Sequence, residues 1–318
     1  SEQRYDNTYT PDVEWANIKY AFTPDISIRA GRIVLPAFLV SDFRNVGYAN
    51  PWVRPPIEVY SLVPVRNNDG VDASYRMHFG DVTNTVQATY GSIEAKISDD
   101  SSIKGRNQLG VFNTTEYGPL TVHLTYYQSD LTVESVHPLF AALAQFGPQG
   151  VALAEKYDCD GKRIALGGIG AGYDPGTWFL MAEWAKRTSD CFVGGNTAWY
   201  VSSGYRLGKF TPYLTYAQVK ADSATSDPGL DASTLPPFLA GAAGGLNAGL
   251  NTLLASTPSQ QTWSVGGRWD IMKNVDLKLQ YDHMRLGDGS RGTLFNIQPG
   301  FRPGGRVDVF SAAVDFVF

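Results

Sequence analysis

The sequence lacks any long hydrophobic run. Nowhere in its 318 residues does an apolar stretch approach the roughly 20 residues that a membrane-crossing helix needs, so a helical membrane protein is excluded. Histidine is scarce: the four copies, His78, His123, His137 and His283, are scattered. No Ser/His/Asp arrangement follows from their spacing. The nearest pairing, His123 with Ser129, is held about 20 Å apart if that segment is extended, which argues against an enzyme. Cysteine occurs only as Cys159 and Cys191, without His or Cys partners at ligand spacing, so neither a metal nor any other cofactor is expected. Positive charge is not in excess: 26 basic residues face 31 acidic ones, the wrong balance for a nucleic-acid partner. The chain also opens without the basic and apolar segments of a signal peptide, so it is expected to be mature or trimmed.

What is abundant is aromatic and small. Aromatics make up 13%, with 17 Tyr and 7 Trp, and there are 33 Gly, yet hydrophobic residues reach only 43% and mean hydropathy is -0.19. Alternation explains that mixture. In 71–79, Val71, Ala73, Tyr75, Met77 and Phe79 share one face, and Asp72, Ser74, Arg76 and His78 share the other. Leu120, Val122, Leu124 and Tyr126 oppose Thr121, His123, Thr125, Tyr127 and Ser129 in the same way. Trp178, Leu180, Ala182 and Trp184 oppose Glu183 and Arg187. Trp263, Val265, Trp269 and Ile271 oppose Arg268 and Asp270, and Leu277, Leu279 and Tyr281 oppose Lys278, Gln280 and Asp282. Segments 163–173 and 198–206 are too rich in Gly and Ser for a face to be assigned. Period-two alternation over about ten residues, repeated along the chain, predicts an all-β protein. Charged inward faces predict a water-filled interior, because a plugged one holds apolar side chains. A soluble all-β protein is the alternative.

Two kinds of connector separate these segments. Thr23-Pro24-Asp25, Gly80-Asp81, Glu116 to Pro119, Asp174-Pro175-Gly176, Leu207-Gly208-Lys209 and Met272-Lys273-Asn274 have tight-turn chemistry. Long, variable loops alternate with them. The chain closes on Arg306 to Phe318, with Phe310, Ala312, Val314, Phe316 and Phe318 on one face. This ending resembles the C-terminal strand of Gram-negative outer-membrane β-barrels. The resemblance implies that Phe316 and the terminal Phe318 form the signal read during assembly, and that the short turns are periplasmic.

About thirteen strands can be read, an odd number, whereas bacterial single-chain barrels are even-stranded. The expected fold is therefore a transmembrane antiparallel β-barrel of 16 strands, as in trimeric general diffusion porins, with roughly 50–60 N-terminal residues missing at about ten per strand plus turns. A merged or missed strand is the alternative. The whole of 1–318 reads as a single barrel domain, with long extracellular loops at 131–161, 220–260 and 286–305.

Similarity to general porins also implies that the loop 37–69 folds into the lumen and narrows it. That loop follows Ala30-Gly31-Arg32 and contains Tyr48, Pro51, Trp52, Pro55, Pro56 and Tyr60, which can pack and stiffen it. Charged rings set selectivity in such pores. The candidates are Asp42, Arg44, Arg54 and Glu58 on the loop, with Lys19, Arg29, Asp72 and Arg76 on the nearby wall; any single arginine could instead brace the loop. Arg32 breaks the alternation and its facing is left open. Cys159 and Cys191 flank two adjacent strands at their loop ends, within disulfide reach, and the cell surface is oxidising. Apolar stretches at 138–146 and 235–254 need cover, from one another, from the barrel mouth or from a partner.

The resulting expectation is a homotrimeric outer-membrane porin, surrounded by lipid and lipopolysaccharide, that passes small hydrophilic solutes with a weak anion preference. A substrate-selective channel and a non-conducting structural or adhesion barrel are the alternatives.

Overall fold

The computed structural model describes residues 13–63, 67–98, 101–295 and 297–317. Among these, thirteen strands form one antiparallel sheet in which each pairs with its neighbours in sequence. They are β1 (Ala16–Ala21), β2 (Ile26–Val34), β3 (Asn67–Phe79), β4 (Val82–Ser98), β5 (Ser101–Tyr117), β6 (Leu120–Val133), β7 (Lys162–Tyr173), β8 (Trp178–Ser189), β9 (Asn196–Tyr205), β10 (Phe210–Ala221), β11 (Gln260–Met272), β12 (Val275–Leu286) and β13 (Arg306–Phe316). Helices α1 (Ile57–Tyr60), α2 (His137–Ala144), α3 (Gly147–Tyr157) and α4 (Pro237–Leu254) lie in the connections. No described helix is long and apolar enough to cross a membrane. The sheet is not closed: β1 and β13, which run in the same direction, do not pair with each other.

Alternation has the physical consequence the sequence implies. Along β12, Asp276, Lys278, Gln280 and Asp282 are buried inward, while Leu279 is exposed on the outer face. On β13, Phe310 is 81% and Phe316 66% exposed. Aromatics so displayed in a regular outward row are stable where the surrounding solvent is itself apolar. At the tight-turn end, Gly208 (φ 63) and Asn274 (φ 66) occupy the left-handed region that two-residue hairpin turns require. Gly31 (φ 123) is different, because it lies within β2. A side chain there would strike the Ala16 carbonyl of β1. This twist in the backbone is why alternation fails at Arg32, whose guanidinium grips Asp69 at 2.7 Å.

The sheet wraps around the connection from β2 to β3. His123 and Thr125 of β6 bond to the carbonyls of Pro36 and Ala37, and Arg54 reaches Ser311 of β13. Strands seven places apart in the sheet therefore face one loop. The interior therefore holds apolar side chains of this loop as well as the charged inward faces of the strands. Leu35, Phe38, Val40, Trp52, Val59, Tyr60 and Leu62 of the loop pack against Phe112, Tyr127, Leu166, Phe179, Tyr200 and Tyr213 of the wall. Burying each such side chain contributes about 1.5–3 kcal/mol. The face of β9 that the sequence left unassigned is now clear: Asn196, Ala198, Tyr200 and Ser202 point inward.

A second cluster sits at the long-loop end. Phe140 and Leu143 of α2, Leu153 of α3, and Leu250 and Leu254 of α4 pack on one another and on Cys159 and Cys191. The apolar loop stretches thus cover each other. Asn247 and Asn251, one turn apart on α4, hold the backbone of Leu230 and Asp227.

Candidate functional site

The loop from Leu35 to Val63 is fixed by polar anchors as well as by packing. On β8, Glu183 accepts hydrogen bonds from the Tyr60 hydroxyl (2.6 Å), the Tyr200 hydroxyl (2.8 Å) and the Leu39 amide (2.8 Å). Burial, with Glu183 alongside, raises the Tyr60 pKa, so this phenol stays a donor. Trp52 Nε1 donates to Ser202 at 2.8 Å, and its ring meets Tyr200 edge-on at 6.0 Å. Near the loop's tip, Lys278 and Arg268 donate to the carbonyls of Gly47 and Tyr48, each at 2.5 Å. Arg268 also stacks over the Tyr48 ring at 4.6 Å. The anchors run along β6, β8, β9 and β11 to β13. The loop is held mainly from that side, although Phe112 of β5 also packs on it, and a cavity lined by Arg76, Thr85, Gln87 and Thr114 of β3 to β5 lies beside it.

The eight residues expected at the narrowing separate into two groups. Asp42 and Arg76 line a cavity of about 700 Å³ on the tight-turn side of the loop. Asp42 is exposed to that cavity yet enclosed by protein. Enclosure pushes its carboxyl up from the ordinary aspartate value, while the charges of Arg29 and His123 pull it down. Arg29 and Asp72, paired across β2 and β3 at 2.5 Å, therefore stand close enough to act on Asp42. Lys19 continues the same row, opposite Arg29 in the ladder.

The other three brace the loop. Arg54 bonds to Asp282 and Ser311, both at 2.9 Å. Arg44 lies over the Tyr60 ring at 5.7 Å. Glu58 is buried beneath the loop, where it accepts from Gln260 at 2.6 Å and from Thr262. It does not reach the cavity, which corrects its placement at the bore. Burial raises its pKa. The sequence reading placed Glu183 inward without seeing its role and missed Tyr200 and Ser202. The available signal was an aromatic alternating with small residues on β9, a face shaped to receive another part of the chain.

Cys159 and Cys191 form a disulfide, with Cα atoms 5.2 Å apart. Phe316 faces outward, and Phe318 lies outside the described residues. The histidines are dispersed in space too: His78 meets Asp25, His137 meets Asp158, His283 meets Asp308, and His123 meets the Pro36 carbonyl. Among the described residues no group of three or more His, Cys, Asp or Glu could hold a metal ion.

Comparison with known proteins agrees with this architecture. A family model described as Gram-negative porin matches residues 59–313. No curated protein matches the sequence. Among solved structures, Salmonella typhi OmpF in complex with daunomycin is 12% identical, with 94% of this chain and 88% of that chain covered and a TM-score of 0.53. An anion-selective porin from Comamonas acidovorans is 13% identical over 92% of this chain and 74% of that one, with a TM-score of 0.48. OmpTdeltaL8 of Vibrio cholerae, a loop L8 deletion mutant, is 10% identical over 93% and 77%, with a TM-score of 0.49.

Proposed function

The chain belongs to the Gram-negative porin family and resides in the bacterial outer membrane, and from that premise we propose that it is a passive diffusion channel for small hydrophilic solutes, with a weak preference for anions. The observation that carries this reading is the placement of the loop. It packs on the inner face of the wall and leaves a cavity of about 700 Å³ lined by charged residues beside it. Asp42 from the loop and Arg76 from the wall line that cavity, and the Arg29–Asp72 pair behind them acts on the charge of Asp42. Arg29 is matched by Asp72 and Arg54 by Asp282, whereas the side chains of Arg76 and Lys19 have no ion-pair partner among the described residues. Within the set Lys19, Arg29, Arg76, Asp42 and Asp72, three cations face two carboxylates, and a local excess of that sign between low-dielectric walls concentrates anions.

The partners are those of a porin: a homotrimer, with lipid and lipopolysaccharide around the outward face. The aromatic row Trp199, Tyr216 and Trp263, with ring centroids 5.2 and 4.7 Å apart, supports an interfacial girdle there. Phe316 and Phe318 would serve as the assembly signal. Native mass measurement checks the trimer; a fully conducting monomer would remove it from the proposal.

Single-channel recording in planar bilayers tests conduction, and the reversal potential in a KCl gradient tests selectivity. Arg76→Ala is expected to move that potential toward cations. Arg54→Ala removes a charge already matched by Asp282, so it should move the potential less and make the current noisier by loosening the loop. Equal shifts in the two variants would contradict this division of labour.

Selectivity should also depend on pH. Asp42 loses its negative charge as pH falls through a pKa raised above the ordinary aspartate value. The reversal potential is therefore expected to move toward anions over that range. Asp42→Asn should hold the acid-side selectivity at every pH; an unchanged pH profile in that variant would remove Asp42 from the bore.

A further inference from the structure

Resting on the pore reading above, we propose that the cavity beside the loop is a binding site for small monocarboxylates with an apolar body, of the size and shape of an aromatic acid. The cavity, about 700 Å³, is two-faced. One face is a single row across the wall, in which Arg76 pairs with Thr85, Thr85 with Thr114, and Thr114 with His123. This row offers a guanidinium and two hydroxyls at one level, and ends on His123, whose ring nitrogens are held by Thr114 and the Pro36 carbonyl.

The opposite face is apolar, with Leu39, Phe43 and Pro51 from the loop and Met181 from β8. Phe43 is 38% exposed. Gly172 adds a recess: a Cβ there would lie 3.5 Å from Leu39 and 4.0 Å from Met181. A channel that served only hydrated ions would gain nothing from apolar side chains left in contact with its water. Apolar walls with a few converging polar groups are the usual composition of a small-molecule site, and roughly 300–1,000 Å³ is the usual size.

The charges narrow the ligand class. Arg206 is committed to Asp174, and Arg268 to Asp270 and Asp276. The Arg76 side chain makes no hydrogen bond or ion pair among the described residues. Its planar fork matches a carboxylate. Asp42 and Glu116 also line the cavity and oppose a second negative charge, which favours a monoanion over a dianion. A bare inorganic anion could use only the Arg76 side, and a neutral aromatic only the apolar side. A benzoate-like solute uses both.

The test uses the whole protein reconstituted in planar bilayers in KCl, with sodium benzoate, sodium acetate and benzyl alcohol as probes. Benzoate should reduce the ion current saturably, with a half-blocking concentration about tenfold or more below those of acetate and benzyl alcohol. Arg76→Ala should bring benzoate to the level of benzyl alcohol, and Met181→Ser should bring it toward acetate. Calorimetric titration of the detergent-solubilised protein reads binding without conduction. Normal KCl conductance with benzoate no better than acetate would overturn this inference and leave the pore reading standing. Benzoate binding by a protein with no KCl conductance would keep the site and overturn the pore reading. Equal calorimetric affinity for all three probes would overturn the site whatever the conductance.

Discussion

Replacing Trp52 by alanine is expected to release the loop from the wall, raise the open-channel conductance and lower the thermal unfolding midpoint. Trp52 is 1% exposed and is held both by its bond to Ser202 and by contact with the Tyr200 ring. Truncating a buried tryptophan costs about 3–5 kcal/mol through lost burial and the cavity left behind. Here the loss falls on a loop that can undock, so the channel should register it as a wider and noisier conducting state. Trp52→Phe is the milder control: it keeps an aromatic ring in the site and loses the hydrogen bond, worth about 0.5–1.5 kcal/mol, together with the packing of the indole's second ring. Conductance histograms give the first readout, and heat-dependent gel mobility of the folded protein gives the second. An alanine variant with wild-type conductance and noise would mean that Glu183 and the loop-tip anchors hold the loop without it.

The second large effect concerns the disulfide. Cys159 and Cys191 are 32 residues apart in sequence, yet the β7–β8 ladder already joins Ile164 to Ser189. With that ladder intact, the bridge closes a loop of only roughly eight residues, for which chain entropy gives about 2.5 kcal/mol. That stabilisation acts on the helical cluster of 134–161 and 222–259, whose apolar side chains pack on the two cysteines. Cys159→Ser with Cys191→Ser should therefore speed proteolytic nicking of those segments severalfold while leaving the barrel's unfolding midpoint nearly unchanged. A fall in that midpoint as large as for Trp52→Ala would show that the bridge supports the strands themselves.

The strands were legible in the sequence because their two environments differ in chemistry. Residues such as Leu277, Leu279 and Tyr281 against Lys278, Gln280 and Asp282 state their facing at a glance. The open sheet and the disulfide followed from counting turns and placing loop ends. The loop's lie was not legible. Whether Arg54 meets an ion or Asp282, and whether Glu58 lines water or is buried against Thr262, depends on partners more than 200 residues away. No local pattern encodes such pairings. Glycine and serine on β9 hid an inward face whose function is to accept Trp52, since small residues carry no hydropathy signal of their own. A charged inward face also does not by itself imply water: Glu183 is inward and charged, and three donors from loop and wall enclose it.

The separation between loop and wall in sequence has a consequence for assembly. Trp52 meets Ser202 across 150 residues, and Arg54 meets Asp282 across 228. Contacts of such high order form only after the intervening chain is in place, since the entropy of closing those segments must first be offset. The loop between β2 and β3 is therefore among the first parts of the described chain to be synthesised and among the last to find its native contacts. Until β8 to β12 stand in the sheet, the loop has no surface to dock on. The seating of the loop is thus a late product of folding, and an arrested intermediate would be a sheet whose interior still lacks it.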